Sequence, residues 1–177
     1  MADRRGKYLI IGIFALGLLA AGSAWWYRYS QTRRAALFWG GAGADTILKA
    51  ENIDLLVLQK TPPTDGALIN RITDDSGGWY VVREFDVSQT RGMLNARNAL
   101  VHDASLDFTA DPAAPPDWQF ALHFHGGAPD FTVLLDLKTG RAKALGREGV
   151  VGIEAIAEGF AVLFREAQDK TIRVTSP

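Results

Sequence analysis

No cysteine occurs among the 177 residues, which excludes disulfide staples, thiol nucleophiles and thiolate metal ligands. Histidine is scarce, with three in the whole chain. No G-x-S-x-G surrounds Ser76, Ser88 or Ser105, so the strained turn that exposes a serine nucleophile is missing too. Gly40-Gly41-Ala42-Gly43 lacks both the preceding strand and the lysine of a phosphate-cradling loop, and it is expected to act as a hinge. No cofactor is expected. Basic residues form no stripe interleaved with aromatics: the whole chain carries −1, and residues 35–177 hold 13 Lys and Arg against 19 Asp and Glu, a net of −6. An acidic domain is repelled by nucleic acid and by anionic lipid, so nucleic acid is not an expected partner.

Apolar residues, in contrast, are concentrated at the front. After a basic tail over residues 1–7 (MADRRGK), the run from Tyr8 to Tyr27 holds twenty residues without a charge. At about 1.5 Å per residue a helix of that length crosses the roughly 30 Å of bilayer hydrocarbon. Residues 8–29 are expected to form a retained transmembrane anchor. The cleavage alternative rests on the small residues at Ala21-Gly22-Ser23 or Gly22-Ser23-Ala24, but the apolar core is longer than that of a usual signal peptide. Trp25, Trp26, Tyr27 and Tyr29 cluster where an aromatic belt meets headgroups. Gly17, Ala20, Ala21 and Ala24 share one side of the helix, where a second helix can approach closely. Three basic residues precede the span (Arg4, Arg5, Lys7) and three follow it (Arg28, Arg33, Arg34), so the positive-inside count is a tie. A short basic tail normally stays behind, which favours an exported carboxy-terminal domain.

Residues 30–41 are expected to be a juxtamembrane helix ending in the glycine hinge, and residues 42–177 a soluble domain. The patterning predicts a short helix over 42–51 and a strand over 53–59. A turn-rich loop over 61–78, with room for an edge strand near 67–72, is a candidate for ordering only on binding. In WYVVREFDV, alternation assigns Trp79, Val81, Phe85 and Val87 to one strand face. Ser88 or Thr90 is expected to cap a helix on which Met93, Leu94, Leu100 and Val101 face the core. The segment 111–117 (DPAAPPD) reads as a stiff loop. Trp118, Phe120, Leu122 and Phe124 alternate with Gln119, Ala121, His123 and His125. A loop over 127–130 would then pair Phe124 with Val133, Leu122 with Leu135 and Phe120 with Leu137. A turn at Thr139-Gly140 would set Asp136 beside Lys143 as an exposed pair. From Ile153, helical spacing predicts a closing helix, with a hairpin of residues 160–166 against 171–176 as the alternative.

His123 and His125 point to one side of their strand, as a metal site needs, with Asp130 or Asp136 as conceivable oxygen donors. A catalytic site wants a third protein ligand, and His102 is expected to point elsewhere, away from the Met93/Leu100 face. The pair is therefore read as a solvated or partner-facing surface, together with the isolated apolar groups Leu134 and Leu145. Glu154 and Glu158, one turn apart, and Asp103 and Asp107 are expected to be solvated carboxylates rather than an acid/base pair.

The runs YSQTRRAALFWG, FDVSQTRGMLNARNALVHDASLDF and FALHFHGG with FTVLLDLKTGR resemble a family of uncharacterised bacterial proteins with one amino-terminal anchor and a small α+β domain. The resemblance covers about half of the soluble part. It implies an anchor and a fold, and it brings no activity and no site residues. The expected architecture is α+β: an N-terminal transmembrane helix, then a small domain with a mainly antiparallel sheet and helices packed on one face. The expected setting is the bacterial inner membrane, single-pass, with a periplasmic domain. The expected role is that of a non-enzymatic accessory, scaffolding or assembly subunit, partnered by membrane protein subunits and by the lipid around its helix. The alternative is a ligand- or metal-binding sensor module using His123 and His125.

Overall fold

A computed structural model describes residues 2–62, 70–75, 77–110, 116–126 and 129–174. Residues 63–69 of the expected loop over 61–78 lie outside the described residues, as do residues 111–115 of the expected stiff loop over 111–117, residues 127–128 of the expected loop over 127–130 and half of the edge strand placed near 67–72. The described strand there, β2, spans Arg71–Asp74.

Helix α1 runs from Ala2 to Trp39 and, by length and composition, is long and apolar enough to cross a membrane. Trp25, Trp26 and the Gly17–Ala20–Ala21–Ala24 side are all exposed along it. Its last turns are different: Ala35 and Trp39, one turn apart, are completely buried in the domain core. The Trp39 indole N–H donates to the Leu100 carbonyl at 2.6 Å. The Asp103 carboxylate accepts the backbone N–H groups of Arg34 (3.0 Å) and Ala35 (2.7 Å). Arg34 and Ala35 lie inside the continuous helix, so the carboxylate fastens the docked segment from another part of the chain. Core packing thus reaches back into the end of α1. Gly40 and Gly41 make the turn into α2 (Gly41–Lys49), and Gly43 is buried because the Phe131 ring occupies the place of a side chain: a Cβ there would lie 2.5 Å from it.

Among the described residues, seven antiparallel strands form one open half-barrel sheet in the order β2-β3-β1-β4-β5-β6-β7, comprising β1 (Asn52–Gln59), β2, β3 (Gly77–Asp86), β4 (Phe120–His125), β5 (Phe131–Asp136), β6 (Arg141–Ala144) and β7 (Val151–Gly152). The end of α1, α2, α3 (Met93–Leu100) and α4 (Glu154–Val174) contribute to the core on one face. Ile53, Leu55, Leu122, Phe124, Val133 and Leu135 form that core with Trp39, Met93, Phe160 and Phe164. The last segment is the helix rather than the hairpin. Ile153, Phe160, Leu163, Phe164 and Ala167 recur at three- and four-residue intervals and are all buried, a set that a strand would split between two faces.

Several local expectations are corrected. Trp79 and Val81 do not share a face with Phe85 and Val87. The β1–β3 register jumps from Val57↔Arg83 to Leu58↔Val81, leaving Val82 as an extra residue. This β-bulge exchanges the two faces of β3, so Phe85 and Val87 join the helix-side core and Trp79 and Val81 the opposite cluster. The β4–β5 pairs are Phe124↔Phe131, Leu122↔Val133 and Phe120↔Leu135, two residues from the expected register. A two-residue slip keeps every side chain on its face, so the core assignment survives it. Trp118, ahead of β4, falls in the opposite cluster from Phe120. Neither Ser88 nor Thr90 caps α3. Gly92, with φ of 94°, occupies that position without a side-chain bond, while the Ser88 hydroxyl accepts the Ile53 N–H at 2.8 Å and donates to Asp86 at 2.6 Å. Leu94 is exposed, and only Met93, Leu100 and Val101 of that quartet are buried.

Candidate functional site

The sheet face opposite the helices carries both histidines of β4, and its two ends differ. At one end, β-register lines up Asp86 of β3, Asp54 of β1, His123 of β4 and Thr132 of β5. The imidazoles of His123 and His125 stack with centroids 5.2 Å apart and planes 19° from parallel. His125 Nε2 bonds the Asp54 carboxylate at 2.7 Å, and His123 Nδ1 lies 3.0 Å from the Thr132 hydroxyl. Asp130 is 4.0 Å from His123 Nε2. Each ring is about one-third exposed, half sunk in its strand row. The Asp86 carboxyl is held below its ordinary value, first by the Ser88 hydroxyl and backbone N–H, and to a smaller extent by His125.

At the other end the face is dry. Trp79, Trp118, Ala121, Leu134 and Leu58 form a second apolar cluster, with Leu56, Val81 and Leu145 packed against it. Leu134 is therefore not a surface group: it is fully buried between the tryptophans, and Leu145 is half-buried beside it. Within this cluster Lys143 is 4% exposed and donates to Asp74 at 2.8 Å and to Asp75. The Trp118 indole lies 3.3 Å from the same Asp74 carboxylate. Lys143 is registered against Leu134, not against Asp136, so the expected exposed Asp136–Lys143 pair does not form.

Asp136 is instead a buried acceptor at the end of β5. Its oxygens receive the Thr139 hydroxyl (2.7 Å), the Gln119 amide (2.9 Å) and the backbone N–H groups of Asp117 (3.1 Å), Lys138 (3.1 Å) and Thr139 (3.2 Å). Burial alone would raise this carboxyl; the converging donors outweigh it and hold the group below its ordinary value.

Chemically, the histidine end can bind or orient a polar surface, and each ring already has one neighbour of its own. Among the described residues no group of three or more His, Asp or Glu side chains is arranged to hold a metal ion. His102 lies on the helix side, half-buried in the link between α3 and the turn at Asp103–Ser105, so the three imidazoles do not meet. Asp103 accepts from the backbone of α1 rather than being solvated. Asp107 is exposed and held low by the hydroxyl and N–H of Thr109, and Glu154 and Glu158 lie exposed on α4. Three cavities of about 570, 350 and 400 Å³ are lined by none of His102, His123, His125, Asp86 or Asp103.

Sequence reasoning missed three features: the Asp103 contact with the backbone of α1, the buried Lys143–Asp74 contact and the Asp136 hub. Of these only the hub left a local signal, since Asp136 and Thr139 have the spacing at which a carboxylate closes its own turn. No family model matches this chain, and no curated protein or solved structure matches it either.

Proposed function

We propose that this protein is a membrane-anchored, non-enzymatic accessory, scaffolding or assembly subunit of a membrane protein complex, with α1 spanning the bacterial inner membrane and the domain on the periplasmic side. One observation carries the reading. The apolar, uncovered helix continues without a free linker into the domain, where Ala35 and Trp39 enter the core and Asp103 bonds the backbone of the docked turns. A domain that needed only to be kept near a membrane would be served by a flexible tether. Docking the anchor into the core fixes one surface of the domain relative to its helix, which suits a part that must present that surface to neighbours at a set height and angle. The stacked imidazoles, half-exposed on an ordered strand row, fit the same use as a contact surface.

Extraction in mild detergent followed by native sizing tests this: the chain should co-migrate with other membrane subunits, and a strictly monomeric, partner-free species would overturn the reading. Carboxy-terminal fusion to a phosphatase that is active only outside the cytoplasm checks the orientation, with an active fusion expected.

A further inference from the structure

The uncharged run from Tyr8 to Tyr27 holds twenty residues, about 30 Å of helix, and so matches the bilayer hydrocarbon with no slack. Lys7 and Arg28 bracket the run, which leaves the helix little freedom to slide along the membrane normal. Trp25 and Tyr29 stack at 5.6 Å in the aromatic belt at the domain end. The hydrocarbon therefore ends near Tyr27, and the headgroup layer covers about the next 5–7 Å.

The domain begins where that layer ends. Tyr29 and Ser30 are exposed, whereas Gln31 and Thr32 are half-buried. Arg34 and Ala35, about 10–12 Å beyond Tyr27 along the helix, give their N–H groups to Asp103. Because α1 is continuous to Trp39, and Ala35 and Trp39 are completely buried, the helix rise sets the height of the domain. At that height the domain presents the turn Asp103–Ser105 and Phe108, whose ring lies 4.8 Å from the Arg34 guanidinium. Arg33, Arg34 and Ala104 are exposed there. Side chains on a helix lean toward its N-terminus, so both arginines lean toward the membrane, as long basic side chains do at a bilayer surface.

We infer that the side of the domain built from residues 103–108 rests on the lipid headgroups of the bilayer that α1 crosses, with the Arg33 and Arg34 side chains reaching back to lipid phosphates. This rests on the reading of α1 as a membrane span and names the second membrane contact of the chain. Geometry imposes the contact rather than net charge: the acidic domain is not drawn to lipid as a whole, but the docked helix holds this one side against it. A flexible tether would let the domain drift away.

The chain has no cysteine, so single-cysteine variants of the full-length protein can be labelled cleanly in nanodiscs of zwitterionic lipid. An environment-sensitive fluorophore is attached at Ala104→Cys, at Leu16→Cys in mid-span, and at Asp130→Cys. Asp130 shares a cavity wall with residues 40–43, about 20 Å beyond Tyr27. All three native positions are exposed, so the melting temperature should not change. With a nitroxide on the lipid headgroup, the Ala104 label should lose most of its fluorescence and the Asp130 label almost none. With the nitroxide at the end of the acyl chain, only the Leu16 label should be quenched. A quenched Leu16 label with an Ala104 label as bright as that at Asp130 overturns the inference, because the domain then stands clear of the lipid and water or a partner chain fills the gap. An unquenched Leu16 label overturns the spanning reading itself, and the inference falls with it. Co-migration of partner subunits bears on the accessory reading alone, so the two failures are told apart.

Discussion

The two faces of the sheet are built from alternate residues of the same strands, yet they exclude water by different means. On the covered face, helices α1 to α4 contribute to an aliphatic and aromatic core, and the charged groups at its edge, Asp103 and Arg97, bond only to backbone. On the opposite face, two tryptophans and Leu134 dry one end around a buried lysine–aspartate contact, while the other end stays half-wet around two stacked imidazoles. The first face is held by volume, and the second by a few oriented polar contacts. Changes on the first should therefore act through size, and changes on the second through charge and hydrogen bonding.

The largest expected effect is on the covered face. Phe124→Ala empties a completely buried ring and should lower stability by about 3–5 kcal/mol, read from denaturant unfolding of the intact chain. Phe124→Leu should recover much of it, because only volume is at stake there.

Lys143→Ala removes the cation beside Asp74, a carboxylate whose side chain is 2% exposed and which also accepts from the Trp118 indole, and a loss of about 3 kcal/mol or more is expected. Lys143→Met keeps the stem but not the charge, so it should not rescue unless Asp74→Asn is added. A rescue by Lys143→Met alone would show that this face, too, is held by volume.

Asp136→Asn should act through pH. The carboxyl is lowered in the folded protein, so the unfolded chain binds the proton more readily. Its stabilisation is fully present above the unfolded value of about 3.9 and drains away as pH falls through the lower folded value. The variant should be less stable at neutral pH and show a flatter decline in that acid range, followed by thermal unfolding from pH 6 downward. A parallel decline in both proteins would remove Asp136 from the account.

The smallest effect is expected at the wet end: His123→Ala with His125→Ala should change stability by about 1 kcal/mol or less, because both rings already reach solvent. The same pair should weaken co-migration with partner subunits if this row is a contact surface.

How much of this was legible in the sequence follows from the range of the interactions. The long apolar helix, the meander from Phe120 to Ala144 and the closing helix were readable because each is written in a local period. The register of β4 on β5 was misjudged by two because alternation fixes which face a residue takes, not which partner it meets. Leu134 looked like an isolated apolar group because its cover, Trp79 and Trp118, comes from two distant segments. The Asp103 contact with α1 joins residues 68 and 69 positions apart, and no local pattern marks it. The histidine row was visible as residues, but its pairing with Asp54 depends on β4 lying beside β1, across 71 positions.

The extra residue at Val82 carries one more consequence. It works as a phase slip in the strand: everything ahead of it is out of step with everything behind. Deleting that one residue would leave Trp79 and Phe85 five positions apart, an odd separation that puts them on opposite faces of an unbulged strand, so each would keep its cluster while the ladder became regular. The chain tolerates two opposite demands on a single ten-residue strand because it miscounts once in the middle.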